Sequence, residues 1–429
     1  MKGCFMRNAW RLAVAVGLSG AVALGTAACG SSSSSSNNSA AAAAPASSPA
    51  TASASTPAST SSSPTGSCGT ATFKKPQDPD GAFAKLSKSV QEAYNGYEYP
   101  VYASKWTTWK PSKPITVGIS WDQPTNDFAA GTLATVENAV KAMPGVTKVV
   151  AQASASPTDI PGQIQQFESL LQQKPTMIIF SGTEGQPFVP LVEKAAKEGI
   201  PTISVLATVN SPDTVSVVPN TYLAALQTTE QVVKDVGGKG NALIVQGIPG
   251  LSINTDALNG IHAVLTNCPN IKVVGTLTGQ FQPSVAKAQT ISFLGTHPET
   301  VNAAFASGGV ASGIISAFQQ TGRSAPAITE QSVTKATLGY WSAHSSSFKA
   351  AATYGGASAF GQLVVMTARN MLAGDGVKVS SVVQPQPLVT SKTLSQSTGQ
   401  GWSISTPGTA STPASVNNDA GLIKPLFNK

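Results

Sequence analysis

The side chains that most often carry out chemistry in proteins are sparse and scattered in this sequence. Its 429 residues include three histidines and four cysteines, which are too few and too dispersed for a multi-ligand metal site. The motifs Gly-x-Ser-x-Gly, His-Glu-x-x-His and Gly-x4-Gly-Lys-Ser/Thr are missing, and Gly237-Gly238-Lys239-Gly240 lacks the spacing and the hydroxyl of a phosphate loop. The sequence therefore predicts no enzyme, no cofactor and no metal, and it favours a protein that binds a ligand.

The N-terminus has the order of a bacterial secretion signal. Three basic residues in the first eleven precede an apolar run at 12–24, which is too short to span a bilayer, and small residues follow. The segment Thr26-Ala27-Ala28-Cys29-Gly30 resembles a bacterial lipobox. This resemblance implies that residues 1–28 are a removable signal peptide and that Cys29 is lipidated. The alternative is an ordinary cleaved signal with a chance cysteine.

Residues 29–68 are predicted to be the lipidated cysteine and a disordered tether. The stretch 31–67 consists of Ser, Ala, Thr, Pro, Asn and Gly, without a charge or a large apolar side chain, so it cannot bury enough surface to fold. A tether after a lipidated cysteine would hold a folded domain away from a membrane. We therefore expect a lipoprotein anchored to the outer face of the bacterial cytoplasmic membrane, with the remainder soluble.

Two cysteines, Cys68 and Cys268, remain once the leader and Cys29 are set aside. Outside the cytoplasm a disulfide is permitted, and two cysteines allow one intramolecular pairing. Such a disulfide would tie the start of the folded region to a surface turn. The alternative is a pair of free thiols.

Charge gives little support for a nucleic-acid partner. The net charge is +7, but three of the 27 basic residues lie in the predicted leader, and charged residues are only 11% of the chain. No block of five like charges occurs. We therefore predict no nucleic-acid binding.

The core from residue 113 onwards alternates predicted strands with helices. The predicted strands are at 115–120, 146–151, 177–180, 202–206, 241–246, 272–277, 301–306 and 337–341. The predicted helices are at 127–142, 163–173, 187–198, 223–236, 254–266, 284–294, 311–321 and 360–373. Strands that alternate with helices of 10–15 residues indicate parallel sheets, and two such series of similar length predict an α/β protein with two doubly wound lobes.

Several segments in this core resemble the type I periplasmic binding proteins, in their sugar-binding, ribose-binding-protein-like subfamily of ABC importers. The segments that carry the resemblance are 115–120, 163–171, 189–195 with Gly199-Ile200-Pro201, Gly260-Ile261, and 317–322. The resemblance covers about residues 113–395. It implies two parallel-sheet lobes joined by a three-crossover hinge, a ligand that binds between the lobes by hinge closure, and an ABC permease and ATPase as partners.

The resemblance also implies domain boundaries. The N-terminal lobe is expected at 113–222 and 356–378, and the C-terminal lobe at 223–355 and 379–395. A pre-domain segment at 69–112 would precede them, and an extension at 396–429 would follow. The same fold also serves sensors that signal to a membrane kinase or chemoreceptor, so this role is the alternative to import.

Ligands of open α/β sheets bind outside the carboxyl ends of the strands. The loops that follow the predicted strands, together with the resemblance, provide a set of candidate ligand-binding residues. These candidates are Trp121, Asn126, Asp127, Phe128, Thr158, Asp159, Thr183, Glu184, Asn254, Thr255, Ser307, Trp341 and Tyr354. The alternatives are core packing for Trp121 and Trp341, and a helix N-terminal charge for Asp127.

The predicted cleft departs from the sugar-binding pattern at its charged positions. The resemblance places Leu206-Ala207 where that family has Asp-Arg, Ala257 where it has Arg, Trp341 where it has Asp, and Gly355 near its final Gln. An unpaired hydroxyl in a buried site is unfavourable by about 1–3 kcal/mol. The expected ligand is therefore a small solute that is sugar-like or less polar: one less hydroxylated than a hexose, or one with an aromatic or cationic part, with Trp121 and Trp341 as candidates for stacking.

Overall fold

The computed structural model describes residues 68–413 and 419–428. The predicted signal peptide, Cys29 and the tether up to residue 67 lie outside these residues. All described residues fall in one compact unit that spans 61–429. Within the described ranges, no helix combines the length and the apolar character needed to cross a membrane.

Twelve strands can be assigned in the described residues. They are β1 (Ile115–Trp121), β2 (Val146–Ala153), β3 (Met177–Ser181), β4 (Thr202–Val205), β5 (Thr214–Pro219), β6 (Gly240–Gln246), β7 (Ile271–Thr278), β8 (Ala303–Ala306), β9 (Ala327–Glu330), β10 (Ala350–Thr353), β11 (Ser381–Gln384) and β12 (Leu388–Val389).

Twelve α-helices lie before, between and after these strands in the described residues. They are α1 (Lys88–Glu92), α2 (Asp127–Lys141), α3 (Ile160–Gln172), α4 (Val189–Lys197), α5 (Thr221–Asp235), α6 (Ser252–Leu265), α7 (Pro283–Thr296), α8 (Ala311–Gln320), α9 (Lys335–Ala343), α10 (Ala357–Leu372), α11 (Leu394–Ser397) and α12 (Asp419–Ile423). Four of them begin where a side-chain oxygen accepts a backbone N–H of the first turn, which satisfies a donor that the helix leaves unpaired. These capping residues are Asn126, Asp159, Asn220 and Thr334.

The strands form two six-stranded sheets, one in each lobe. The first has the order β11-β5-β4-β3-β1-β2, and the second has the order β12-β10-β9-β8-β6-β7. All pairs are parallel except β10 with β12. The strands β3, β4 and β5 are buried at every residue, as expected when helices cover both faces of a sheet. This confirms the predicted fold class of two doubly wound parallel-sheet lobes.

The chain passes between the lobes at three points in the hinge. The first crossing runs from β5 into α5, the second from β10 into α10, and the third from β11 to β12. The helix α10 packs on α2 of the first lobe, whereas α5 packs on α6 of the second. The connectivity is therefore that of a three-crossover hinge.

The predicted strand at 337–341 is wrong. These residues lie inside α9, which begins after Thr334 because the Thr334 hydroxyl oxygen accepts the backbone N–H of Thr337 at 3.2 Å. The strand of this part of the second sheet is β9, which comes before α9. Thr, Tyr and Trp favour strands by propensity, but the tertiary context overrides that preference here.

The expected assignment of 379–395 to the second lobe is also wrong in its first part. The strand β11 pairs in parallel with β5 of the first sheet, with Ser381 opposite Ser216. Only β12 joins the second sheet. Five strands were not predicted from the sequence, namely β5, β9, β10, β11 and β12.

Residues 68–112, here called the N-terminal strap, contact both lobes. A disulfide joins Cys68 to Cys268 of the second lobe. Further along the strap, the Tyr94 hydroxyl donates to the Ser381 carbonyl of the first lobe at 2.7 Å. The rings of Tyr94, Tyr97 and Trp106 belong to the first-lobe core. The strap is therefore an additional connection between the lobes.

Residues 399–413, here called the C-terminal segment, also contact both lobes. The carbonyl oxygen of Gly408 accepts the backbone N–H of Lys335 in the second lobe at 3.0 Å. The backbone N–H of Gly408 donates to Asp127 Oδ2 in the first lobe at 2.7 Å. After a gap in the described residues, the apolar side chains of 422–427 pack into the first-lobe core.

Candidate functional site

A cavity of about 350 Å³ lies between the two lobes. Residues that follow β1, β3 and β4 form its first-lobe wall, and residues that follow β6, β7, β8 and β9 form its second-lobe wall. The cavity therefore lies at the carboxyl ends of the parallel strands, where the strand-end rule predicts a ligand site.

A buried carboxyl group stands on the first-lobe wall at the end of β1. Asp122 is 8% exposed, and its Oδ1 accepts a hydrogen bond from the Ser181 hydroxyl at the end of β3, at 2.6 Å. Burial raises the pKa of Asp122, while the hydrogen bond from Ser181 acts in the opposite direction. The wall thus presents an acceptor to the cavity.

The start of α2 provides three more residues of the first-lobe wall. Asn126 Oδ1 accepts the backbone N–H of Ala129 at 2.9 Å, so this side chain is committed to capping the helix. Asp127 is exposed and bonded to Gly408. The Phe128 ring stacks on Phe360, with centroids 5.8 Å apart, and is half-buried at the cavity.

An aromatic ring also stands on the second-lobe wall. A Cβ placed on Gly247 would lie 2.0 Å from the Phe281 ring, and one placed on Gly308 would lie 2.8 Å from it. The two glycines therefore make the space that the ring of Phe281 occupies. The structure brings Phe128 and Phe281 to opposite walls of one cavity.

Backbone strain is concentrated at this cavity. Among the described residues, five non-glycine residues have a positive φ, and three of these line the cavity. These three are Leu206 at 71°, Phe281 at 57° and Ser332 at 55°. Such conformations are unfavourable by about 1–3 kcal/mol each and concentrate at functional sites. The strain supports a binding role for the cavity.

Two polar side chains on the cavity wall have a buried atom without a hydrogen-bond partner among the described residues. These atoms are Thr183 Oγ1 and Gln331 Nε2. Thr183 is 9% exposed and follows β3 in the first lobe, whereas Gln331 is 4% exposed and follows β9 in the second. Buried polar groups are usually paired, and these two atoms lie at the cavity, where a bound molecule can reach them. A polar ligand between the lobes would provide both partners.

Four of the thirteen candidate residues line the cavity: Asn126, Asp127, Phe128 and Thr183. The two tryptophans do not, because Trp121 and Trp341 are both 0% exposed and lie in the lobe cores. The predicted stacking of a ligand on them is therefore wrong, and core packing is their role. Tyr354 is likewise buried, with its hydroxyl bonded to Ser397.

The other candidates serve the structure around the cavity. Asp159 caps α3, and Thr158 precedes this cap. Asn254 Oδ1 accepts the backbone N–H of Gly247 at 2.7 Å, and the Thr255 hydroxyl donates to the Leu251 carbonyl. Glu184 and Ser307 are sequence neighbours of lining residues without lining the cavity themselves.

Several polar residues of the cavity were not predicted from the sequence. Gln331 comes directly after β9, at the position for which the sequence predicts Trp341. Gln386 lies in the third crossing between the lobes, whereas the sequence predicts the final-loop contact near Gly355. Asp122 directly follows β1, but the sequence provided no reason to prefer it. A correct position for β9 would have identified Gln331.

Beside the cavity, the N-terminal strap contacts α6 at a half-buried acid, Asp256. The Tyr99 hydroxyl donates to Asp256 Oδ1 at 3.2 Å. Burial raises the pKa of Asp256 to about 7, the hydrogen bond from Tyr99 lowers it by less, and Glu98 nearby raises it further. An aspartate in an unfolded chain has a pKa of about 3.9. At a pH between these two pKa values, Asp256 holds a proton in the folded protein but has released it in the unfolded protein.

This difference predicts that stability falls as pH rises through 7. The raised pKa of Asp256 should make the folded state about 2 kcal/mol less stable at pH 8.5 than at pH 5.5. Replacing Asp256 with Asn should remove this contribution to the slope of the free energy of unfolding against pH, as measured by urea unfolding at both pH values. Glu330, whose pKa burial also raises to about 7, contributes equally to both proteins. The control is Glu193→Gln, an exposed acid on α4, which should leave the slope unchanged. Equal slopes for wild type and Asp256→Asn would contradict the prediction.

Residues 117–376 match the profile of the periplasmic binding protein domain family, and the chain belongs to this family. The fold and the interlobe cavity are those of its type I members. The family is one of substrate-binding proteins and not of enzymes. In the described residues, no group of three or more His, Cys, Asp or Glu side chains could hold a metal ion.

Individual relatives agree with this family. A xylitol-binding protein of Mycolicibacterium smegmatis is 33% identical over 125 residues, which are 29% of this chain and 36% of that protein. The match therefore spans about a third of that relative. An ABC transporter solute-binding protein of Thermobispora bispora has a TM-score of 0.60 at 21% identity, over 67% of this chain and 87% of its own. An ABC transporter solute-binding protein of Mycobacterium smegmatis with bound glycerol has a TM-score of 0.59 at 18% identity, over 70% of this chain and 99% of its own. These structures share the fold.

Proposed function

We propose that this chain is an extracytoplasmic, lipid-anchored solute-binding protein of an ABC importer. It captures a small polyol or sugar between its lobes and delivers it to a membrane permease and ATPase. The observation that carries this proposal is the pair of unpartnered buried atoms, Thr183 Oγ1 and Gln331 Nε2, which belong to opposite lobes. A ligand with several hydroxyl groups is the kind of molecule that pairs with both at once.

Hinge closure follows from this arrangement. A ligand whose hydroxyls bond to both lobes binds the closed form better than the open form, so it shifts the population towards closure. The half-buried rings of Phe128 and Phe281 offer apolar faces to the C–H groups of a carbon chain or ring. Hydroxyl-pairing side chains together with two aromatic faces suit a polyol better than an amino acid.

The comparisons support a polyol or sugar as the ligand class. A relative that is 33% identical over 125 residues is a xylitol-binding protein, and a solved structure from Bacillus halodurans, with a TM-score of 0.58 at 18% identity, holds myo-inositol. The sequence had favoured a less hydroxylated ligand because its alignment placed Trp341 in the cleft. With Gln331 in that place, the hydroxyl-pairing groups are more numerous than the sequence indicated.

The experiment is a calorimetric titration of the full chain with xylitol, ribitol, myo-inositol, glycerol and D-allose, with leucine as the non-polyol comparison. At least one polyol or sugar should bind with a micromolar or lower dissociation constant. Replacing Thr183 with Val should weaken that binding about tenfold or more, because a ligand hydroxyl would lose its partner.

The matched control is Thr229→Val. Thr229 on α5 also has a buried Oγ1 without a partner among the described residues, but it does not line the cavity. Its replacement should leave the dissociation constant unchanged. Binding of leucine in preference to every polyol and sugar would overturn the proposed ligand class.

A further inference from the structure

The charged side chains on the cavity wall all have the same sign. The lining includes the carboxyl groups of Asp122 and Asp127 and, among the residues described, no lysine, arginine or histidine. Asp127 is exposed to water and bonded to a backbone N–H of the C-terminal segment. Asp122 is the buried member of the pair. The electrostatic character of the cavity is therefore set mainly by Asp122.

No cation compensates Asp122 within the described residues. Its side-chain bond is to the neutral hydroxyl of Ser181, and the described ion pairs are Lys105 with Asp213 and Lys141 with Glu137. A buried charge without a counterion is weakly screened, and a cleft lined by one sign concentrates the field. A charged group of a ligand in this cavity therefore interacts strongly with the carboxylate of Asp122.

Helix N-termini at the cavity provide an opposing, positive contribution. The first turn of α2 is capped by Asn126 and carries Asp127. The helix α7 begins with Pro283, which has no N–H to offer. Both α6 and α7 begin at the wall without a side-chain cap, after Leu251 and after Gln282, and their free N–H groups suit neutral hydroxyl oxygens as well as anions.

We propose that the cleft selects its ligand by charge, with Asp122 as the specificity-determining residue. Neutral polyols and polyols that carry an amine are accepted, and those that carry a carboxylate or a phosphate are excluded. This inference rests on the proposed function and narrows it from polyols and sugars in general to their uncharged and cationic members. The carboxylate of Asp122 accepts hydrogen bonds from a hydroxyl or an ammonium group but has none to donate to an anion.

The test compares three forms of one five-carbon polyol by calorimetry on the full chain at pH 7.5. The forms are the neutral xylitol, its terminal carboxylate and its terminal amine. The amine should bind at least as tightly as the neutral polyol. The carboxylate should bind about a hundredfold more weakly or worse, since repulsion in a buried site is poorly screened.

The variant Asp122→Asn identifies the residue responsible. Asn keeps the shape of the side chain and an oxygen that accepts the Ser181 hydroxyl, but it removes the charge. The ratio of the dissociation constant of the carboxylate to that of the neutral polyol, here called the penalty on the carboxylate, should fall about tenfold or more. The amine should lose affinity relative to the neutral form. The comparison variant Asp127→Asn should change the penalty by less than about threefold, because exposed charges are screened by water.

The outcomes separate this inference from the proposed function. If the neutral polyol binds and the carboxylate binds within about tenfold of it, charge selection is overturned while the polyol function stands. If the penalty on the carboxylate is unchanged in Asp122→Asn, the assignment to Asp122 is overturned. If none of the three forms binds and no other polyol or sugar does, the proposed function fails and this inference fails with it. Should Asp122→Asn not fold, the three ligands on the wild-type chain still decide whether charge selection exists.

Discussion

Replacing Trp341 with Ala is expected to lower the free energy of unfolding by about 3–5 kcal/mol, as is usual when a large buried ring is removed. Trp341 is 0% exposed on α9 and belongs to the second-lobe core together with Leu338 and Phe348. The vacated volume faces tightly packed neighbours that cannot fully collapse into it. Urea unfolding monitored by circular dichroism measures the change.

The same position tests whether the ring contacts a ligand. The variant Trp341→Phe keeps most of the packing, so it should fold and bind xylitol within about twofold of wild type, which is well under 1 kcal/mol. The control is Trp402→Ala, which removes a half-buried ring of the C-terminal segment and should destabilise the fold less. Normal stability of Trp341→Ala together with lost polyol binding would show that the ring faces the ligand.

Replacing Cys29 with Ala is expected to release the protein from the membrane or to block its processing. The prediction rests on the order of basic, apolar and small residues before Cys29 and on the uncharged tether after it. Two acyl chains contribute about 0.8 kcal/mol for each buried methylene, so their loss removes nearly all membrane affinity. Fractionation of cells into membrane and soluble parts, followed by a high-salt wash, measures the effect.

A second cysteine in the leader provides the control. Cys4 precedes the apolar run, and Cys4→Ala should leave the protein in the membrane fraction. Recovery of the Cys29→Ala protein in the membrane at the wild-type level after the salt wash would contradict lipid anchoring at Cys29. An uncleaved signal segment would be distinguished by the larger mass of the unprocessed chain.

Much of the fold could be predicted from the sequence because burial has a local period. The strand at 115–120 and the helix that starts at Asp127 were predicted within one residue of their observed ends, since β-branched runs and helical spacing mark buried faces directly. The cap at Asn126 adds a local signal for the helix start. The family resemblance followed from the order of these elements.

The site was less predictable because it depends on where short strands end. β9 has four residues, and the Thr-Leu-Gly-Tyr-Trp run that follows it at 337–341 has the stronger strand propensity. Misplacing this strand moved the expected contact from Gln331 to Trp341. The strands β5 and β10 were not predicted either, and β10 is a run of small residues, Ala-Ala-Ala-Thr, without alternation of polar and apolar side chains.

By itself the sequence determined the class of fold and the family, because both depend on local composition and on the order of elements along the chain. Only the tertiary structure decided which residues meet at the cavity. Thr183 and Gln331 lie on different lobes and are far apart in the sequence, and no local pattern relates them. The tertiary structure also decided that Trp121 at the end of β1 and Trp341 on α9 pack inward, because the direction of a side chain depends on the layers packed around its element. The sharing of 379–395 between the two lobes depends likewise on which sheet edge is free to accept β11.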